Sequence, residues 1–135
     1  NAEDHRVLMD KHPLNLALRF GLELAALYAV GQWAWHQGGS LLWQWLFVLL
    51  SLAVFMGIWV TFNVPNDPSR SGKAPVVVRG WLRLLIELIL FGSAMLALFS
   101  IGSATAGWIT LGLLIFHYAI SYERIIWLLK RYQNP

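Results

Sequence analysis

Apolar positions in this chain come in long unbroken runs. They show neither the alternation of a half-buried strand nor the narrow stripe of a water-soluble helix. Four runs stand out, at roughly 14–37, 41–62, 81–101 and 105–129. Each is near the ~20 apolar residues that carry a helix across a bilayer. Pro13 marks the start of the first, with Asn15 close by as a start signal. Gly38, Gly39 and Ser40 separate the first run from the second, and Ile101 to Ala104 turn the third into the fourth. The longest polar stretch, 63–80, holds Pro65, Pro68, Gly72 and Pro75 and predicts turns and extended chain. The expected fold is all-α: an integral membrane four-helix bundle made by residues 14–135 as one domain, behind a polar segment at 1–13.

Composition strengthens that reading. The chain of 135 residues is 58% hydrophobic and 13% charged, against about 25% charged for a soluble domain. A water-soluble core of four such helices would need polar surface that this chain lacks. The first run is too long for a cleaved leader, and no small-residue cleavage site follows it, so it is expected to stay as a span. Cysteine is absent, which excludes disulfides and thiol catalysis.

Charge placement then orients the spans. Outside the runs, Arg6 and Lys11 precede the first, Arg70, Lys73 and Arg79 lie between the second and third, and Lys130 and Arg131 follow the fourth. The connections 37–40 and 101–106 carry no charge. Cytoplasmic loops hold the Lys/Arg excess, so both termini and the loop 63–80 are expected on the cytoplasmic side. These basic flanks read as topology determinants and anionic-lipid contacts, with no nucleic-acid partner implied. The tryptophans fit the same frame as interfacial belts: Trp33, Trp35, Trp43, Trp45 and Trp108 at the outer ends, and Trp59, Trp81 and Trp127 at the inner ends.

The charges inside the runs are the candidate chemistry. Residues 18–24 and 82–88 share Leu, Arg, Glu and Leu at matching places: Leu18, Arg19, Glu23, Leu24, and Leu82, Arg83, Glu87, Leu88. Each copy opens an odd-numbered helix, so the simplest account is a duplicated helical hairpin in a parallel repeat; a shared physical need is the alternative. Glu23 lies about 14 Å into its helix at 1.5 Å per residue, near mid-bilayer. An ionised group there costs about 2.5–3.5 kcal/mol on insertion scales. Arginine can snorkel to the interface, but glutamate is too short. Each carboxylate therefore needs a guanidinium or a proton. Cross-helix pairing of Arg83 with Glu23 and of Arg19 with Glu87 would close a neutral tetrad on the bundle axis. His117 arrives at similar depth from the fourth run, along with Tyr118, Ser121 and Tyr122, while Glu123 and Arg124 fall at its periphery, near the headgroups. Small residues at Gly21, Ala25 and Ala29, and at Ala53 and Gly57, suggest seams between helices or subunits. The histidines have no metal-like spacing, and no nucleophile motif or phosphate-cradling loop appears; no cofactor is implied.

The same residues carry a family resemblance. Asn15, Leu18, Arg19, Phe20, Glu23 and Leu24, then Trp59, Phe62, Pro65 and Pro68, then Glu87, Phe91, Ala94, Ala97 and Leu98 make the chain similar to the YrdB-like family of small bacterial four-span proteins, a domain of unknown function. Val60 and Asp67 depart from that pattern. The resemblance covers roughly residues 14–100 and implies an integral membrane protein without an assigned activity. It carries over no catalytic residue. The expectation is thus a bacterial inner-membrane protein, not an enzyme, that packs with itself or a partner membrane complex through its intramembrane Arg/Glu cluster. The alternative is a small transporter or ligand-binding protein that uses Arg19, Glu23, Arg83, Glu87 and His117 as a cytoplasm-facing site.

Overall fold

The structure is a computed structural model in which residues 12–69 and 73–130 are described. The terminal segment 1–11, and with it Arg6 and Lys11, lies outside the described residues, as do Arg70 and Arg131. Helix α1 spans Pro13–Gln37 and α2 spans Leu41–Thr61. Two short strands follow, β1 at Phe62–Asn63 and β2 at Val76–Val77, paired in parallel with Phe62 opposite Val76. Then come α3 at Gly80–Ser100, α4 at Ala104–Ile120 and α5 at Tyr122–Lys130. The three helices α1, α2 and α3 are long and apolar enough to cross a membrane, and the bent pair α4–α5 would make a fourth if counted as one span.

Local chemistry explains the boundaries. Pro13 opens α1, where its missing N–H costs nothing, and the His12 imidazole accepts from the Leu14 N–H at 3.2 Å. Gly102, at φ +84°, closes α3 in the left-handed conformation while the Ser103 N–H reaches back to the Leu98 carbonyl at 3.0 Å. Asn66, at φ 66°, sits between Pro65 and Asp67 in a turn closed from the Asp67 N–H to the Val64 carbonyl.

The chain meets itself at two ends. At one, Trp35 of α1 packs edge-on against Trp45 of α2 at 5.4 Å, and Phe99 of α3 packs on Trp108 of α4 at 5.2 Å. At the other, α1 and α3 begin, α2 ends and α5 lies. Between the ends runs an apolar core of Leu22, Ala26, Ala29, Phe55, Leu90, Phe91, Ala94, Met95, Leu98 and Leu114. Helix α3 is central and packs on every other helix. Helix α2 lies at the edge, with only Phe55 and Trp59 buried.

Three expectations change here. The apolar run 105–129 is two helices, bent by 64° at Ser121. Of the expected seam at Gly21, Ala25 and Ala29, Ala29 is buried within the chain, beside Ala26 and Leu22 on the Arg19 face, while Ala25 is half-buried and a side chain at Gly21 would meet open space. The buried ions decide which face of α1 turns inward, and the seam continues that face. On α2, Ala53 and Gly57 are exposed. Finally, Trp59 is no belt residue. It is buried beneath two guanidiniums, with the Arg19 and Arg83 carbons 5.1 and 4.8 Å from its ring centre.

Candidate functional site: a buried ionic hub around Glu87

Helical spacing brings Asn15, Arg19 and Leu22 to one face of α1, and Arg83, Glu87 and Leu90 to one face of α3. These faces pack together. Glu87 is fully buried and accepts from five donors. Its Oε1 takes the Tyr118 hydroxyl at 2.9 Å and Arg124 Nη1 at 3.0 Å. Its Oε2 takes Arg83 Nε at 2.8 Å, Arg124 Nη2 at 2.6 Å and Arg19 Nη2 at 2.9 Å.

Arg124 joins this hub to the polar segment. Its Nε and Nη2 grip the two oxygens of Asp67, each at 2.7 Å. The Ser69 backbone N–H and hydroxyl also bind Asp67 Oδ1, each at 2.9 Å. Burial alone would push the Asp67 carboxyl up, but the Arg124 hydrogen bonds and charge outweigh it and hold the group below its ordinary value. Arg83 adds a second tie, donating Nη1 to the carbonyls of Trp59 and Phe62, each at 2.7 Å. These are the carbonyls that the end of α2 leaves without a helical partner.

A neutral side chain relay flanks the ions. Asn15 Nδ2 donates to the Ser121 hydroxyl at 3.0 Å, so its Oδ1 is the acceptor facing His117 Nδ1 at 2.9 Å. His117 Nε2 is then left to accept from Arg19 Nη1 at 3.4 Å. Among the described residues no group of His, Asp and Glu is arranged to hold a metal ion.

The predicted residues therefore meet, but not as a tetrad. Arg19 reaches Glu87 as expected, whereas Arg83 stays with Glu87 on its own helix and does not reach Glu23. Among the described residues Glu23 keeps one ion-pair contact, Arg19 Nε at 3.3 Å, and its side chain is 28% exposed. Arg124, expected at the periphery, is 1% exposed and central. The bend at Ser121 turns α5 inward and delivers it there. Glu123, beside it, is half-buried with Oε2 enclosed and unpartnered among the described residues. Asp67 was missed. Its signal was an acid between two prolines just past the end of an apolar run, where a buried cation can reach it. Arg19, Arg83 and Arg124 stand against Glu23, Asp67 and Glu87, so the assembled set is neutral.

An all-helical protein whose long apolar helices are tied by one buried Arg–Glu–Asp hub is the class that this fold and site define. The chain belongs to the family described as "Protein of unknown function (DUF2568)", whose model matches residues 17–115. It is similar to "Uncharacterized protein YrdB" of Bacillus subtilis (strain 168), at 44% identity over 117 residues, which cover 87% of this chain and 94% of that protein. No solved structure matches.

Proposed function

We propose that this is a multi-pass protein of the bacterial inner membrane, with both termini and the 63–80 segment cytoplasmic. In this reading it works without catalysis, as a structural or accessory element that packs with a second copy or a partner membrane protein. The long apolar helices support the membrane setting, as do outward side chains such as Leu42, Leu50, Leu96 and Ile115, each more than half exposed. In water such faces would collapse on one another; in hydrocarbon they cost nothing.

One observation carries the non-catalytic reading: Glu87 is saturated. Each of its oxygens already holds a phenol or guanidinium donor, and the group has no exposure. A carboxylate so engaged has nothing to offer a substrate or ion. The hub is instead a tie between α1, α3, α5 and the 63–69 segment, fixing their register where dispersion alone is weakly directional. Packing with a partner then falls to the outer apolar faces, and α2 is the most open of these. Replacing Glu87 by Gln tests this in mild detergent. The tie reading expects lost thermal stability and helicity. A variant as stable as the parent that no longer binds or moves a ligand would sink it.

Glu23 favours the second reading, a small transporter or ligand-binding protein. It alone among the hub's carboxylates is partly open and loosely held, which makes it the acid of the hub with room for a cation or proton. On this reading Glu23→Gln leaves the fold intact and abolishes proton or cation uptake by protein-loaded vesicles. Unchanged uptake would remove it.

A further inference from the structure

We infer that α5 is an interfacial helix, lying along the cytoplasmic boundary of the bilayer with its outward face dipped into the lipid. It is not the end of a fourth span. The inference rests on the membrane reading above and adds to it.

Both ends of α5 are pinned at one level. At its start, the Ser121 hydroxyl takes the bond from Asn15, in the first turn of α1. Toward its end, Leu128 packs so closely on Gly80, the first residue of α3, that a Cβ there would run into the Leu128 carbonyl. The helix thus runs from the mouth of α1 to the mouth of α3, across the bundle, consistent with its 64° turn away from α4. A continuing span would have carried residue 128 well past both mouths. Helix α4 does not need the extra length: 17 residues rise roughly 25 Å, enough for a short span.

The two faces of α5 differ. Ser121, Arg124 and Leu128, at i, i+3 and i+7, are buried against the bundle. Tyr122, Ile126 and Leu129, at i, i+4 and i+7, are exposed at 55%, 46% and 40%. An apolar face turned to water would be costly, and Lys130 at the end of this helix suits a headgroup layer. The face also lies at the level of Trp81, itself exposed beside Gly80. A bilayer interface offers hydrocarbon to the first three side chains and phosphate to the lysine, and Arg124 anchors the helix from behind.

The cysteine-free chain makes the test direct. Single-cysteine variants at Lys73, Leu113 and Ile126 are nitroxide-labelled and reconstituted in phosphatidylethanolamine/phosphatidylglycerol vesicles. Collision rates with oxygen, which favours hydrocarbon, and with a nickel chelate, which favours water, give depth. The expected order of oxygen-to-nickel ratio is Leu113 highest, Ile126 intermediate and Lys73 lowest. A ratio at Ile126 equal to that at Leu113 overturns the inference, since α5 would then continue the span. A ratio equal to that at Lys73 overturns it too, placing the face in water. Protection of Ile126 from both reagents means protein covers this face, which also overturns it. If Leu113 itself reads as aqueous, the membrane reading has failed.

Discussion

The two Leu-Arg…Glu-Leu segments begin alike and end differently. In both, the arginine Nε bonds the glutamate one turn on, at 3.3 Å for Arg19–Glu23 and 2.8 Å for Arg83–Glu87. Beyond that the copies part. Helix α3 is enclosed by its neighbours, so Glu87 collects Arg19, Arg124 and Tyr118 as well. Helix α1 turns Glu23 toward its edge, and among the described residues no second cation pairs with it. The same local code therefore yields a hub in one copy and a rim in the other. Position in the bundle, rather than the motif, sets the energetic weight of each acid.

That contrast can be broken from either side, and the largest effects belong to the Glu87 copy. Glu87→Gln removes the charge that Arg19, Arg83 and Arg124 share. Breaking a buried pair costs about 3–5 kcal/mol, so the variant is expected to unfold at much lower temperature in detergent or fail to accumulate. Arg124→Gln comes next, at about 3 kcal/mol. It spares the ties from Arg19 and Arg83 but strands Asp67 and frees α5. Limited proteolysis near residues 120–124 is expected to become fast, while cleavage within α1–α3 stays slow.

Acid offers a graded version of the same cut. The folded Asp67 carboxyl lies below its ordinary value. Its contribution is thus fully present above the unfolded pKa, about 3.9, and is lost as pH falls through the folded one. The stability gap between the parent and Asp67→Asn is expected to hold from pH 7 to 5 and to shrink below about pH 4. A gap that stays constant into acid would deny the ion pair. The smallest effect belongs to Glu23→Gln, because the carboxylate gives up a single 3.3 Å contact and Arg19 keeps its tie to Glu87.

Much of this was legible in the residues. Long apolar runs gave the helices, and Gly38–Ser40 and Gly102 gave the turns, because these signals are local. The pairing of the Arg19 and Glu87 helices was legible too, since an enclosed carboxylate demands a cation. Three features were not. The break at Ser121 has no Pro or Gly to announce it; it is set by where Arg124 must go to reach Glu87 and Asp67. Asp67 sits in a proline-rich turn that reads as solvent-facing until α5 closes over it. Trp59 looks like every other tryptophan at a helix end, and only the converging arginines set it apart. All three depend on contacts between segments distant in the chain, which periodicity does not encode.

The most direct measurement is the difference in thermal unfolding midpoint between Glu87→Gln and Glu23→Gln, purified side by side in the same detergent. A hub at Glu87 predicts a large loss for the first and a small one for the second. Equal losses, or a larger loss at Glu23, would contradict it.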